Sequence, residues 1–226
     1  GVKYTGYIEG YYGRQLSLEE RLSIIDTLSE HHLTTYLCAP KEDPWHRGKW
    51  KDPYPLPFSS AFRTIIDHGR RKAVEFVPAI APGLSFDYLD KDDYRRLVRK
   101  FRYFADLGAS TLALLMDDIP EELPLSCRKR FRSLGEAHGM LLTMLETELH
   151  QTHPDIKIWF CPTIYCNSMA KGDLSKSLYL SDLATGTPKN IPILWTGHEV
   201  VSSDISPASL NEISSMFDNR IIIWDN

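Results

Sequence analysis

Two adjacent carboxylates stand at the end of an apolar run in the segment TLALLMDDIPEELP, residues 111–124. Asp117 and Asp118 follow a stretch typical of a buried strand and precede Ile119 and Pro120. Neighbouring residues on an extended strand point to opposite faces, so both carboxylates face one ligand only if the chain turns there. Proline cannot continue a sheet ladder, and Pro120 therefore favours a turn at this place.

Paired carboxylates of this kind suit proton transfer. Two carboxylates held close in a low dielectric repel each other, which raises the pKa of one while the other stays ionised. The pair would then supply a general acid and a charged partner. Two solvated loop acids, a helix N-cap and a magnesium site are the alternatives. The sequence contains no phosphate cradle or accompanying ligand cluster, so we expect neither a metal nor another cofactor.

Composition limits the classes of protein that remain. The 226 residues are 42% hydrophobic and 25% charged, which is enough to form one globular domain over residues 1–226. A net charge of -4 gives no general attraction to nucleic acid or anionic membrane, and no apolar run is long enough to cross a bilayer. Four cysteines are too few for a disulfide scaffold. The compartment stays open, with the cytoplasm favoured over secretion.

Strand and helix patterns alternate along the chain. Short apolar runs without polar alternation predict seven buried parallel strands, at residues 3–10, 34–40, 75–81, 110–118, 157–163, 191–197 and 220–226. Helical periodicity fills the gaps, beginning at a capping box of Ser17 and Glu20 and continuing at 59–72, 90–107, 126–150, 173–184 and from Ser206 and Pro207.

Repeated βα units allow an open doubly wound sheet or a (β/α)8 barrel. No G-x-G-x-x-G motif follows the first strand, which argues against a dinucleotide fold. Most strands end in polar or special residues, namely Glu9, Gly10, Lys41, Asp117, Asp118, Tyr165, Gly197, Asp225 and Asn226. Barrel enzymes build their sites at that rim. We therefore predict an α/β TIM barrel with about seven units, whose eighth strand comes from a further C-terminal segment or a second chain.

Six motifs in order resemble one known family. They are IEGYYGR (8–14), YLCAPKEDPWHRGKW (36–50), ALLMDDI (113–119), FCPTIYC (160–166), LWTG (194–197) and IIWDN (222–226). They are similar to the successive motifs of glycoside hydrolase family 84, which comprises O-GlcNAcases and bacterial β-N-acetylglucosaminidases. The similarity runs from end to end of the chain.

The resemblance implies a retaining exo-β-N-acetylglucosaminidase that removes terminal GlcNAc from a glycoprotein or glycan. In this family the substrate's own 2-acetamido oxygen attacks the anomeric carbon and forms an oxazoline, which replaces the enzymic nucleophile. By the match to the family motif, Asp117 would polarise the acetamido group, and Asp118 would act as the general acid and then the general base. Neither nucleic acid nor membrane is an expected partner.

The same resemblance assigns a sugar-binding set. It consists of Gly10, Lys41, Tyr165, Trp224 and Asn226. Trp195 is either a further pocket wall or a buried strand tryptophan, and the loop 42–57 is either a semi-rigid wall beside the site or a solvated loop. Asn167 departs from the family, where glycine is common. The alternative function is a non-catalytic GlcNAc-binding fragment or module, because the barrel is incomplete without its eighth strand. Further sugar-binding residues of the family also lie beyond the seventh strand.

Overall fold

Seven parallel strands form one curled sheet, an incomplete (β/α)8 barrel. The structure, a computed structural model, describes residues 4–196, 207–218 and 220–224. The strands are β1 (Gly6–Glu9), β2 (Thr35–Cys38), β3 (Glu75–Ile80), β4 (Thr111–Leu115), β5 (Lys157–Cys161), β6 (Ile193–Trp195) and β7 (Ile221–Ile223). They pair in chain order, which confirms the predicted seven strands and the barrel class.

Six helices connect the described strands. They are α1 (Leu18–Glu30), α2 (Leu56–Arg71), α3 (Lys91–Asp106), α4 (Leu134–Thr152), α5 (Leu178–Gly186) and α6 (Pro207–Met216). The predicted capping box is confirmed, because the Ser17 hydroxyl accepts from the Glu20 N–H and the Glu20 carboxylate accepts from the Ser17 N–H. None of the helices in the described ranges is long and apolar enough to span a membrane.

Two predicted helix starts are wrong. The helix predicted from residue 126 begins at Leu134, because Ser133 caps it by accepting from the Glu136 N–H. The helix predicted from residue 173 begins at Leu178, where Ser177 is the cap. In both cases a serine hydroxyl satisfies an otherwise unpaired helical N–H, and a short turn precedes it.

Side chains of the strands alternate between two apolar layers. On β4, Leu112 and Leu114 face the helices, whereas Ala113 and Leu115 face the barrel interior. The same alternation holds on β2, where Leu37 lies inside. Both faces of the sheet are therefore buried, as expected for parallel strands with helical crossovers. Extending this alternation beyond the last residue of each strand determines which rim residues face the interior.

β1 and β7 are the edges of the described sheet. A groove of about 610 Å³ is lined by residues of both strands, including Ile8 and Ile222, and by Leu37 of β2. The inner face of the barrel is therefore accessible along this groove. That a further C-terminal segment or a second chain supplies the eighth strand stays a prediction.

Candidate active site

One cavity of about 390 Å³ lies at the carboxyl ends of the strands. Its size falls within the range of small-ligand sites. It brings together six of the seven predicted site residues, namely Gly10, Lys41, Asp117, Asp118, Tyr165 and Trp224. The seventh, Asn226, lies outside the described residues, as do the strand-end residues Gly197 and Asp225.

The alternation of side chains explains why these residues meet. Leu115 points into the barrel, so Asp117, two residues later, points the same way at the rim. Ala39 and Lys41 are related in the same way after β2. Gly10 follows the inward Ile8, and its backbone lines the cavity without a side chain.

Asp118 reaches the cavity through a change of backbone direction. Its φ is +58°, in the left-handed region that L-residues adopt at a cost of roughly 1 kcal/mol. Aspartate tolerates this conformation better than most residues. The turn expected from Pro120 is thus made at Asp118 itself. It directs a side chain toward the cavity that strand alternation alone would place on the helix side.

The Lys41 ammonium group lies close to both carboxylates. Lys41 Nζ lies 3.1 Å from Asp118 Oδ2 and 3.9 Å from Asp117 Oδ2. The side chain of Asp117 is 12% exposed, whereas that of Asp118 is 51% exposed. The pair therefore consists of one buried and one open carboxylate that share an ammonium group.

Burial raises the pKa of Asp117 above its ordinary value of 3.8. Lys41 opposes the increase, and the Asp118 carboxylate adds to it. The sequence predicts one raised pKa in the pair and attributes it to repulsion between the carboxylates. The main cause is instead desolvation, and the affected group is the one to which the resemblance gives the charged role.

Lys41 begins a loop that is firmly anchored. Asp43 Oδ1 accepts from the N–H groups of Trp45 at 2.8 Å and His46 at 3.2 Å, and its Oδ2 accepts from the Tyr54 hydroxyl at 2.8 Å. The His46 ring contacts the Ala79 carbonyl through Nδ1 at 2.5 Å. These buried side chains anchor the loop 42–57, although more than half of its residues are exposed and none of them lines the cavity. Its role as a wall beside the site therefore stays a prediction.

Aromatic side chains form one wall of the cavity. The rings of Tyr165 and Trp224 meet edge to face, with centroids 6.1 Å apart. Burial raises the pKa of Tyr165 to about 12, so its hydroxyl stays protonated and can donate a hydrogen bond near neutral pH. The indole Nε1 of Trp224 is buried and has no hydrogen-bond partner among the described residues.

Trp195 does not belong to this wall. It is fully buried on the helix side of β6, and its Nε1 donates to Asn167 Oδ1 at 3.2 Å. The alternative of a buried strand tryptophan is therefore confirmed. Asn167, where the sequence departs from the family, ties the segment that carries Tyr165 to β6 by a hydrogen bond that glycine cannot make.

Two polar residues near the site differ from what the sequence indicates. Glu9 ends β1 but points toward the helices, where it pairs with Arg21 instead of reaching the cavity. Thr163, which is not among the predicted site residues, donates its hydroxyl to the Met116 carbonyl at 2.7 Å, immediately before the acidic pair. Its position in FCPTIYC, two residues before Tyr165, is the signal that could have found it.

Metal-ligating clusters and other cavities do not compete with this site. In the described ranges, no group of three or more His, Cys, Asp or Glu side chains could hold a metal ion. Another cavity, of about 460 Å³, lies at the amino ends of the strands and is lined by residues such as Thr35, Glu75 and Lys157. That end of a barrel serves stability rather than catalysis.

A cavity at the carboxyl ends of barrel strands with two acids and aromatic walls is the arrangement of a carbohydrate-hydrolysing barrel enzyme. The sequence matches the profile of the beta-N-acetylglucosaminidase family over residues 5–226. The chain belongs to this family, which confirms the resemblance seen in the motifs.

Individual relatives agree with this assignment. The chain is 33% identical to "Protein O-GlcNAcase" of Mus musculus over 221 residues, covering 98% of this chain and 24% of that protein. The Rattus norvegicus protein of the same name gives the same identity and coverage. A solved "O-GlcNAc hydrolase mutant" of Thermobaculum terrenum superposes with a TM-score of 0.92 at 32% identity, covering 99% of this chain and 47% of that one. The chain thus spans about a quarter of the length of these curated relatives.

Proposed function

We propose that the chain carries the catalytic face of a retaining exo-β-N-acetylglucosaminidase that removes terminal β-linked GlcNAc from a glycoprotein or glycan. One observation carries the proposal. In a member of the beta-N-acetylglucosaminidase family, the acidic pair, Lys41 and the Tyr165–Trp224 wall line one cavity of about 390 Å³. Its volume and its mixture of charged and aromatic groups suit a single sugar ring.

The acidic pair would divide the reaction between two neighbouring atoms of the sugar. The acetamido oxygen attacks the anomeric carbon, while Asp118 donates a proton to the departing glycosidic oxygen and an oxazoline forms. Asp117 accepts a hydrogen bond from the acetamido N–H and stabilises the positive charge that develops on that group. Asp118 then removes a proton from water, which attacks the anomeric carbon and restores the acetamido group with retained configuration.

Substrate binding favours the charged role that the proposal gives to Asp117. A bound acetamido N–H donates to Asp117, and hydrogen bonding to the charged form of a carboxylate lowers its pKa and favours ionisation. Bound substrate thereby opposes the effect that burial has on the pKa of Asp117 in the free site.

The remaining residues would hold the sugar. The Lys41 ammonium donates to hydroxyl groups, and the backbone of Gly10 approaches the ring closely. Tyr165 donates its phenolic hydrogen toward the acetamido group, and Trp224 forms the apolar wall of that pocket. Asn226 belongs to the same set by its match to the family motif. No metal or cofactor takes part in these steps.

The proposal is tested by replacing the general acid and comparing the loss of kcat on substrates with poor and good leaving groups. Asp118→Asn should lower kcat on a poor alkyl leaving group by about 10²- to 10⁴-fold, because proton donation is lost. The loss should be much smaller on a nitrophenyl glycoside, which departs without protonation. Asp155→Asn, at an exposed turn residue, is the matched control and should leave both rates unchanged. Equal losses on both substrates would contradict the general-acid role.

A GlcNAc-binding fragment without turnover is the second candidate. The open groove between β1 and β7 favours it, because the ring of strands is not closed in the described structure. It predicts that the folded chain binds GlcNAc in a titration but hydrolyses neither glycoside. Turnover by the chain, abolished in Asp118→Asn and retained in Asp155→Asn, would exclude it.

A further inference from the structure

The two peptide groups on either side of Met116, just before the acidic pair, are held by β5 and the segment after it. The Met116 N–H donates to the Cys161 carbonyl at 2.9 Å, and the Met116 carbonyl accepts from the Thr163 hydroxyl at 2.7 Å. Met116 and Thr163 are both buried. A left-handed residue such as Asp118 persists only where the surrounding structure holds it, and these two bonds anchor the backbone on its N-terminal side.

Thr163 is itself held by a buried chain of hydrogen bonds. Its N–H donates to the Tyr179 hydroxyl at 2.9 Å, and that hydroxyl lies 2.8 Å from His138 Nδ1. On the other side of the imidazole, Nε2 lies 2.8 Å from the Tyr88 hydroxyl. Burial lowers the pKa of His138 to about 3, so the imidazole ring is neutral near pH 7. The series of hydrogen bonds therefore keeps one protonation state.

A close approach of α4 and α5 brings the residues of this hydrogen-bond series together. At Gly135 on α4, a side-chain carbon would lie 2.0 Å from the Tyr179 carbonyl on α5, so only glycine fits there. His138 follows one turn later on α4 and meets the Tyr179 ring edge to face. Buried hydroxyl and imidazole groups cost free energy unless they are paired, and a fully paired network specifies one arrangement of the core.

We propose that Thr163 is a positioning residue for the acidic pair, and that Tyr179 holds Thr163 in place. The Thr163 hydroxyl fixes the Met116 carbonyl and so the direction in which the chain enters the left-handed turn. Thr163 also precedes Tyr165 by two residues, so one side chain sets the distance between the acids and the aromatic wall. This inference rests on the proposed function, because it assigns Thr163 a part in the same reaction.

Kinetics of isosteric variants test the role. Thr163→Val removes only the hydroxyl and should lower kcat by about 10- to 100-fold, because misplaced catalytic groups are costly. KM should stay within about threefold, since the sugar contacts remain. Thr163→Ser restores the hydroxyl and should restore kcat. Thr187→Val removes another buried hydroxyl that bonds a carbonyl and should leave kcat unchanged. An unchanged kcat in Thr163→Val would overturn the proposal.

A crystal structure of Thr163→Val tests the same inference without any turnover. The expected result is a changed φ at Asp118 and a Lys41 Nζ that no longer lies about 3.1 Å from the Asp118 carboxylate. An Asp118 that keeps its left-handed φ and its Lys41 contact would overturn the positioning role. A wild-type chain that does not hydrolyse aryl GlcNAc would refute the proposed function alone, and this structural comparison would still decide the role of Thr163.

If Thr163→Val does not fold, Tyr179→Phe takes its place in both experiments. It removes the acceptor of the Thr163 N–H while keeping the ring and its packing. Tyr103→Phe, which removes a partly buried hydroxyl bonded to Ser59, is its matched control. A lower kcat in Tyr179→Phe but not in Tyr103→Phe supports the proposal, and equal rates in the two variants overturn it.

Discussion

Glu9 and Asp118 are acidic residues at the carboxyl ends of two strands of the same barrel, and their surroundings differ sharply. Glu9 is 2% exposed and accepts from Arg21 Nε at 3.0 Å, from a second Arg21 nitrogen at 2.9 Å and from the Tyr36 hydroxyl at 2.5 Å. Asp118 is half exposed, and Lys41 is the one side chain among the described residues that donates to its carboxylate.

Strand alternation explains the difference. Glu9 directly follows the inward Ile8, so it points toward α1 and the helix layer. Asp118 would point to the same side after Asp117, but its left-handed backbone redirects it to the cavity. Alternation thus predicts the helix side for both acids, although Glu9 lies within β1 and Asp118 lies beyond the end of β4. The left-handed φ of Asp118 directs its carboxylate to the cavity instead.

The comparison shows which acids are available for chemistry. A carboxylate whose oxygens are filled by protein donors stabilises the fold but has no free lone pair for a substrate. A carboxylate with one shared cation keeps oxygens that a ligand can use, and its local backbone costs stability. A site carboxylate is thus distinguished by oxygens that no protein donor occupies. Variants at Glu9 and its partner should therefore change stability, whereas variants at Asp118 should change activity.

Breaking the Glu9 pair should have the largest effect on stability. Arg21→Met leaves a buried carboxylate without its partner and should lower the free energy of unfolding by about 3–5 kcal/mol. Urea unfolding followed by circular dichroism measures this change. The folded fraction should keep its kcat, since Glu9 does not face the cavity.

The double variant Glu9→Met with Arg21→Met is the control. It removes both charges and fills the space with apolar atoms, so most of the lost stability should return. A single Arg21→Met variant that loses less than about 1 kcal/mol would show that Glu9 is not held as a buried ion, and the contrast with Asp118 would then fail.

A smaller effect on stability is expected at Asp118, where glycine should be more stabilising than alanine. Glycine adopts a left-handed φ freely, whereas alanine does so at a cost of roughly 1 kcal/mol, so Asp118→Gly should be more stable than Asp118→Ala by about that amount. Both variants should lose the general acid, so stability and activity separate. Thermal and urea unfolding of the two variants measure the difference.

Thr147 supplies the matched control for that comparison. It is an exposed residue within α4, where alanine is favoured over glycine by about 1 kcal/mol. Thr147→Ala should therefore be more stable than Thr147→Gly. The same order at residue 118 would mean that the left-handed turn is not a feature of the folded protein.

Much of this architecture is predictable from the sequence, because it follows from local patterns. Seven apolar runs give the seven strands, and the rim position of the acidic pair follows from an apolar run that stops at two carboxylates. The motifs predict six residues that line one cavity. These features depend on period, length and order along the chain, all of which are visible in the residues themselves.

The parts that escape prediction depend on contacts between distant elements. Glu9 reads as a rim residue until the alternation on β1 is known, and Thr163 gains its partner 47 positions away at Met116. The raised pKa of Asp117 comes from its burial in the assembled site, which no dipeptide pattern encodes. The contact between His138 and Tyr179 requires that α4 and α5 pack closely at Gly135, which is a property of the assembled fold.

The smallest effect concerns the pH dependence of stability at Asp117. Its pKa is raised in the folded state, so ionising it costs stability, and that cost disappears as the pH falls through the raised value toward 3.8. Asp117→Asn should therefore be more stable than wild type at neutral pH, and the two should converge at acidic pH. Thermal unfolding at a series of pH values measures the difference.

Asp182 supplies a control of opposite sign. Hydrogen bonds from Arg132 and Ser133 hold the pKa of Asp182 below its ordinary value, so its stabilisation is present at neutral pH and is lost as the pH falls. Asp182→Asn should be less stable than wild type at pH 7, and this deficit should shrink on acidification. If the stability of Asp117→Asn and Asp182→Asn relative to wild type changed with pH in the same direction, the pKa of Asp117 would not be raised by burial, and the contrast between a buried and an open carboxylate would fail.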